Sequence, residues 1–241
     1  MKQISHNTLF TVFSVVYLGM ITNVLLFVAC LPVVALLMTT DPARSWPLIA
    51  LLTPLSAPGV CAACAVFAAH RRGEHGVAWA FLRGWRTSWR KAMIFGAIMT
   101  SVLTVVLVDI RVLAALEVGV VLVPVLIVLA LLAAMTSIVG LVALAEHPDG
   151  RVRDILRIAV LVGVRRWYFS LVSLLVVALQ FWVFFQVPLV GLGITAAPAL
   201  HLIWANTRFC LDAVTGNSVP DTSVSQETTT VTPAVQKAAA R

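Results

Sequence analysis

Residues Leu9 to Met38 run apolar for 30 positions, interrupted only by isolated small or polar residues such as Asn23. As a helix, that run spans about 45 Å, against a bilayer hydrocarbon core of about 30 Å. A run of this length either tilts or begins in the interface. It also continues far past the roughly 7–15 apolar residues of a cleavable signal, so a signal peptide is not the expectation. The rest of the chain repeats the theme. Of 241 residues, 61% are hydrophobic, 11% are charged, and the mean hydropathy is +1.00. Soluble domains average about 25% charged residues, so this chain has too little polar surface to be soluble and globular. The expected fold is an all-α, polytopic transmembrane helical bundle over residues 1–214. Residues 215–241, rich in Thr, Ser, Val and Ala, are expected to form a disordered cytoplasmic tail.

About six spans are expected. After Leu9–Met38 comes Trp46–Ala69, which Pro54 and Pro58 should kink or break into two pieces. Ala92–Val108 and Val118–Ala145 follow. Phe169–Trp204 holds two short spans if the chain turns near Gln186–Gly193. Two polar intervals, His70–Lys91 and Glu146–Tyr168, separate spans and share a design. Each opens with a turn and continues as a basic amphipathic helix, which reads either as a weak internal repeat or as two similar connectors. Over Gly76–Lys91 the apolar positions Ala78, Phe81, Leu82, Trp85 and Trp89 have helical spacing, with Arg83, Arg86 and Arg90 mostly opposite. Such a helix is expected to lie flat along the membrane, with Trp85 and Trp89 in the headgroup boundary and the arginines towards anionic headgroups. The same surface suits docking of a cytoplasmic partner. In the second interval Val152, Ile155, Leu156, Ala159 and Val160 make the apolar face.

Basic residues fix the expected threading. The faces holding Met1–Thr8, the two polar intervals and the C-terminal end carry 15 of the 17 lysines and arginines, leaving only Arg44 and Arg111 opposite. The positive-inside rule then puts both termini in the cytoplasm, at a plasma membrane. The net charge of +7 alternates with the spans, so it argues for lipid headgroups and against a nucleic-acid partner.

Few residues suggest chemistry. Cys61-Ala62-Ala63-Cys64 is a C-x-x-C, the pattern of thiol redox work in soluble settings. Here it sits in an apolar span with no cation to stabilise a thiolate, which favours close helix packing by small residues. His70, His75 and His147 share a face, but the five histidines make no dense ligand pattern, so neither metal nor cofactor is implied. Asn23, His201 and Asn206 are intramembrane polar residues that line one polar seam or make helix–helix hydrogen bonds. Asp109, Arg111 and Glu117 read as interfacial charges. There is no Ser-His-Asp set, phosphate loop or paired carboxylate. Glu74-His75-Gly76 does not match the E-A-A-x-x-x-G signal of an importer permease.

The order of features resembles the YesL-like family of bacterial membrane proteins, a domain of unknown function. The matching pieces are Asn23 with Leu31-Pro32, the run Ala57-Pro58-Gly59-Val60-Cys61-Ala62-Ala63, the basic-aromatic stretch Phe81–Lys91, and Asp109 at the end of span three. The resemblance covers roughly residues 5–214 and leaves out the tail. Members often carry an asparagine in the turn before span three, where this chain reads Lys91-Ala92-Met93. The resemblance implies no catalytic residues. It implies a non-enzymatic role accessory to a carbohydrate ABC importer. Two alternatives remain open: a small-solute transporter or channel with its own pathway, and a membrane thiol oxidoreductase.

Overall fold

The computed structural model describes residues 2–74, 76–117, 119–187 and 190–215, with side chains from Val16 onward except those of Pro42, Leu192, Val214 and Thr215. The tail expected to be disordered lies outside them, apart from Thr215, the last residue of the final helix. Seven α-helices are described and no strand: α1 (Lys2–Thr39), α2 (Pro42–Arg71), α3 (Val77–Leu113), α4 (Gly119–Glu146), α5 (Val152–Arg165), α6 (Trp167–Gln186) and α7 (Ala196–Thr215). A π-helical turn, Gly191–Thr195, leads into α7. Five helices, α1 to α4 and α6, are long and apolar enough to cross a membrane. Helix α7 is not among them, since it carries His201, Asn206, Arg208 and Asp212 within 20 residues. It nevertheless packs antiparallel to α6 and touches α1, α2 and α4.

Helices α2 and α3 form the central hairpin. Added Cβ atoms at Gly84 and Gly96 of α3 would lie 2.7 Å from the Cβ atoms of Ala65 and Ala57 in α2. Glycine is therefore what lets the two backbones approach so closely, the usual device where lipid supplies no hydrophobic drive between helices. Helix α1 meets the other side of α2, where Gly59 faces Ala29 at the same spacing. Pro47, Pro54 and Pro58 all lie inside α2, yet it is not broken in two. Hydroxyls of Thr53 and Ser56 bond to the carbonyls of Ile49 and Thr53 beside them, as is common where proline interrupts a membrane helix.

Helix α3 corrects a second expectation. The basic segment Gly76–Lys91 is not a separate helix. It is the first part of one 37-residue helix without proline, about 55 Å long. Charge at Arg90 and Lys91 looks like a boundary in sequence, but charge does not end a helix. No proline lies within α3, and the packing of Gly84 on Ala62 and Ala65 of α2 keeps the segment in line with the rest of the helix. The second basic helix is separate, as expected: α5 buries Ile155, Ala159, Val162 and Gly163. Val160, expected on the apolar face, is exposed.

The core is uneven along the bundle. It gathers at the end bearing the basic loops: Leu18 and Leu26 of α1, Cys61 to Cys64 and Val66 to Ala68 of α2, Phe81 and Ala92 of α3, and Val139 and Val142 to Leu144 of α4. Towards the opposite end the helices splay. Val120 and Val121 of α4 are 81% and 72% exposed, and Val28 and Leu31 of α1 are also uncovered.

Candidate functional site

The basic end shows how α2 sorts the side chains of α3. Phe81, Ser88 and Ala92 turn inward and are buried, and Trp85 is half-buried beside Gly59. Trp79, Leu82, Arg83, Arg86, Trp89 and Arg90 are exposed. The expected aromatic face is therefore divided by burial, with Phe81 and Trp85 packed against α2 and Leu82 and Trp89 left exposed beside the arginines. Trp85 and Trp89 part company, and the outward stripe mixes tryptophan, leucine and arginine. The reason is that the small residues of α2 accept Phe81 and Trp85, leaving Trp89 under its neighbour Arg90, whose guanidinium carbon lies 5.6 Å from the ring centre.

Not every cation here is free. Glu74 accepts from Arg72 at 2.8 Å and from Arg83 at 3.2 Å. Hydrogen bonding from Arg72, assisted by the charges of Arg72 and Arg83, holds the Glu74 carboxyl below its ordinary range. Lys91 Nζ donates to the Pro148 carbonyl, tying α3 to the loop before α5. Among the described residues, Arg86 makes no ion pair.

Asn23, His201 and Asn206 are not brought together. Asn23 is buried in α1, and its Nδ2 donates to the carbonyls of Gly193 at 2.9 Å and Ile194 at 3.1 Å. Its Oδ1 accepts from the backbone N–H of Ala197 at 2.6 Å. The side chain amide thus clamps the π turn at the head of α7. Gln180 Nε2 donates to the Gly191 carbonyl, and Thr195 Oγ1 donates to the same oxygen at 3.0 Å. Asn206 works further down the α6–α7 pair, donating to the Phe169 carbonyl at 2.7 Å and to Ser173 Oγ at 2.8 Å. His201 is exposed and lies edge-on to Phe67, with ring centres 4.9 Å apart. Among the described residues, no hydrogen bond joins any two of the three.

One cluster escaped the sequence reading. Trp204 Nε1 donates to Glu146 Oε1 at 2.8 Å, and the guanidinium carbons of Arg71 and Arg208 lie 5.9 and 5.7 Å from its ring centre. Three helices, α2, α4 and α7, thus meet around one indole. The only sequence signal was a lone tryptophan in a span that also carries charge.

Cys61 and Cys64 are buried and unbridged, and Ala62 between them lies under Gly84. The C-x-x-C is a packing surface on α2. Of the three histidines sharing the basic face, His75 lies outside the described residues. Among the described residues, no three His, Cys, Asp or Glu side chains gather as metal ligands would.

The structure also has two hollows that the sequence did not announce. One, of 330 Å³, lies among α1, α2, α4, α6 and α7 and is almost wholly apolar, with Leu26, Val60, Leu141 and Phe184 in its walls. The other, of 820 Å³, is a groove between α2 and α3, touching α4, in the splayed half of the bundle.

These features define a membrane-spanning α-helical bundle held by small-residue contacts and side-chain amide clamps. No family model matches the chain, and no curated protein or solved structure matches it either.

Proposed function

We propose that this chain is a non-enzymatic multi-pass protein of the plasma membrane, accessory to a carbohydrate ABC importer. It crosses the bilayer six times, α7 included, with both termini in the cytoplasm. The observation that carries the reading is the outward stripe of α3. Trp79, at 63% exposure, stands beside Arg83 and Arg86 on a helix whose other face is already spent on α2. Aromatic and arginine side chains are the ones most enriched at interface hot spots. The accessory role comes from the resemblance to the YesL-like family. The alternative of a transport pathway needs polar side chains facing a route. Asn23 and Asn206 instead spend their amides on backbone carbonyls and Ser173, which supports a structural role. The thiol-oxidoreductase alternative is weakened by the burial of both cysteines.

The test is co-purification of the full chain from its membrane in mild detergent. Importer subunits should accompany the wild type, and Arg83→Glu/Arg86→Glu/Arg90→Glu should lose them while keeping its helical content. If the triple variant instead fails to insert, the stripe acts through the headgroups. If it inserts and keeps its partners, the docking reading is lost.

A further inference from the structure

The groove in the splayed half runs along α3 from Gly96 to Arg111. Those 16 residues cover about 22 Å of helix, more than the roughly 15 Å that one leaflet's hydrocarbon occupies. Its walls include Ala50, Met99, Leu103 and Leu107. Of the five hydroxyl residues in its walls, Thr53, Ser56 and Ser137 donate to the carbonyls of Ile49, Thr53 and Ala133, leaving Thr100 and Thr104 of α3 among otherwise mostly apolar side chains. The surface left is one that hydrocarbon wets. The outer end differs. There α2 contributes Ala43 and Trp46, and α3 contributes Arg111.

Arg111 is conspicuous because this end of the bundle carries only one other cation, Arg44, which follows the lining residue Ala43. Among the described residues, neither makes an ion pair. The nearby acids do not neutralise the groove. Asp109 is two positions from Arg111, hence on another side of α3, and does not line it. Asp41 is engaged as the N-cap of α2, accepting from Ala43 N at 3.0 Å. Glu117 belongs to the loop before α4.

We propose that the groove holds one anionic glycerophospholipid of the bilayer, with an acyl chain between α2 and α3 and its phosphate at Arg111. The proposal rests on the membrane reading above, with this end in the leaflet opposite the basic loops. Charge complementarity selects this occupant. A neutral helix from a partner would leave Arg111 unpaired against lipid.

The experiment reconstitutes the full-length chain in phosphatidylcholine vesicles with trace phosphatidylglycerol or phosphatidylcholine spin-labelled in mid-chain. The motionally restricted fraction is read for each. Restriction should favour phosphatidylglycerol about fivefold, the factor one arginine supplies beside an anionic surface. Arg111→Gln should remove that preference, while Leu103→Trp should reduce restriction of both lipids by filling the tail space. Equal restriction in the wild type, or a preference that survives Arg111→Gln, overturns the proposal. A preference lost in Arg86→Gln but kept in Arg111→Gln puts the lipid at the basic end and also overturns it. If the lipids show no preference and Leu103→Trp changes the oligomeric state in detergent, a second copy fills the groove and the proposal fails. Both leaflets carry label, so the readout does not depend on orientation. A reversed topology would show separately, in the accessibility of introduced cysteines.

Discussion

Asn23 and Ala197, 174 residues apart in sequence, are joined by a 2.6 Å hydrogen bond from the Ala197 backbone N–H to the Asn23 side-chain oxygen. With the two carbonyls that accept from its nitrogen, this one amide fixes where α7 begins against α1. Asn23→Leu removes all three bonds and takes the side-chain acceptor from the buried Ala197 N–H. The expected loss is about 2 kcal/mol, set by the roughly 1–3 kcal/mol cost of an unsatisfied buried group. Thermal unfolding in detergent should show it, and an unchanged transition would mean the clamp contributes nothing.

The neighbouring residue should behave oppositely. Thr22 is fully buried, and among the described residues its hydroxyl has no hydrogen-bond partner. Thr22→Val keeps the shape and removes the stranded hydroxyl, so it should stabilise the protein by roughly 1 kcal/mol. A lower melting temperature than wild type would count against this account of Thr22.

Gly84→Ala and Gly96→Ala each push a methyl group to 2.7 Å from an alanine Cβ of α2, and each should destabilise by about 1–3 kcal/mol through overpacking. Gly19→Ala is the control. Nothing lies within 4 Å of its added Cβ, so the helix propensity gain of up to about 1 kcal/mol should appear unopposed. Equal effects at the three positions would remove the case for close approach of α2 and α3.

The Glu74 carboxyl should titrate below its ordinary 4.5, measured by NMR on a carbon-13 label. Arg72→Gln should raise it more than Arg83→Gln, because the Arg72 hydrogen bond is the larger cause. A depressed folded-state value gives stability that is complete above the unfolded value and fades as pH falls through the folded one. The effect on unfolding should therefore be confined to acid below about 4.5. It should also be small and weaken with salt, as expected for an exposed pair.

Cysteine reporters test the threading. Ser88 and Ser45 are both buried, so Thr87 and Ala43, which are exposed, are the better positions. In intact cells a membrane-impermeant thiol reagent should reach a cysteine at 43 and spare one at 87. The opposite labelling would invert the topology.

Much of the bundle was legible because hydropathy and charge act locally. The amphipathic spacing of Ile155 and Ala159 announced α5, and the small residues at Ala62 and Ala63 announced a packing surface. What stayed hidden depended on partners distant in sequence. The inward turn of Trp85 needs Gly59 of α2. The π turn needs Asn23, Gln180 and Thr195 together. The Trp204 cluster needs the ends of α2 and α4. The groove was invisible because no pattern within one helix records how far its neighbour leans away.

Since α3 is one rod without proline, its two ends are mechanically coupled. Arg86 and Arg111 stand 25 residues apart on it, about 38 Å. A load that tilts the basic end against α2 pivots the other end about the Gly84 and Gly96 contacts, widening or narrowing the space beside Arg111. Where binding at one end tilts the rod, thermodynamic linkage requires that a ligand at the other end shift affinity at the first by the same factor.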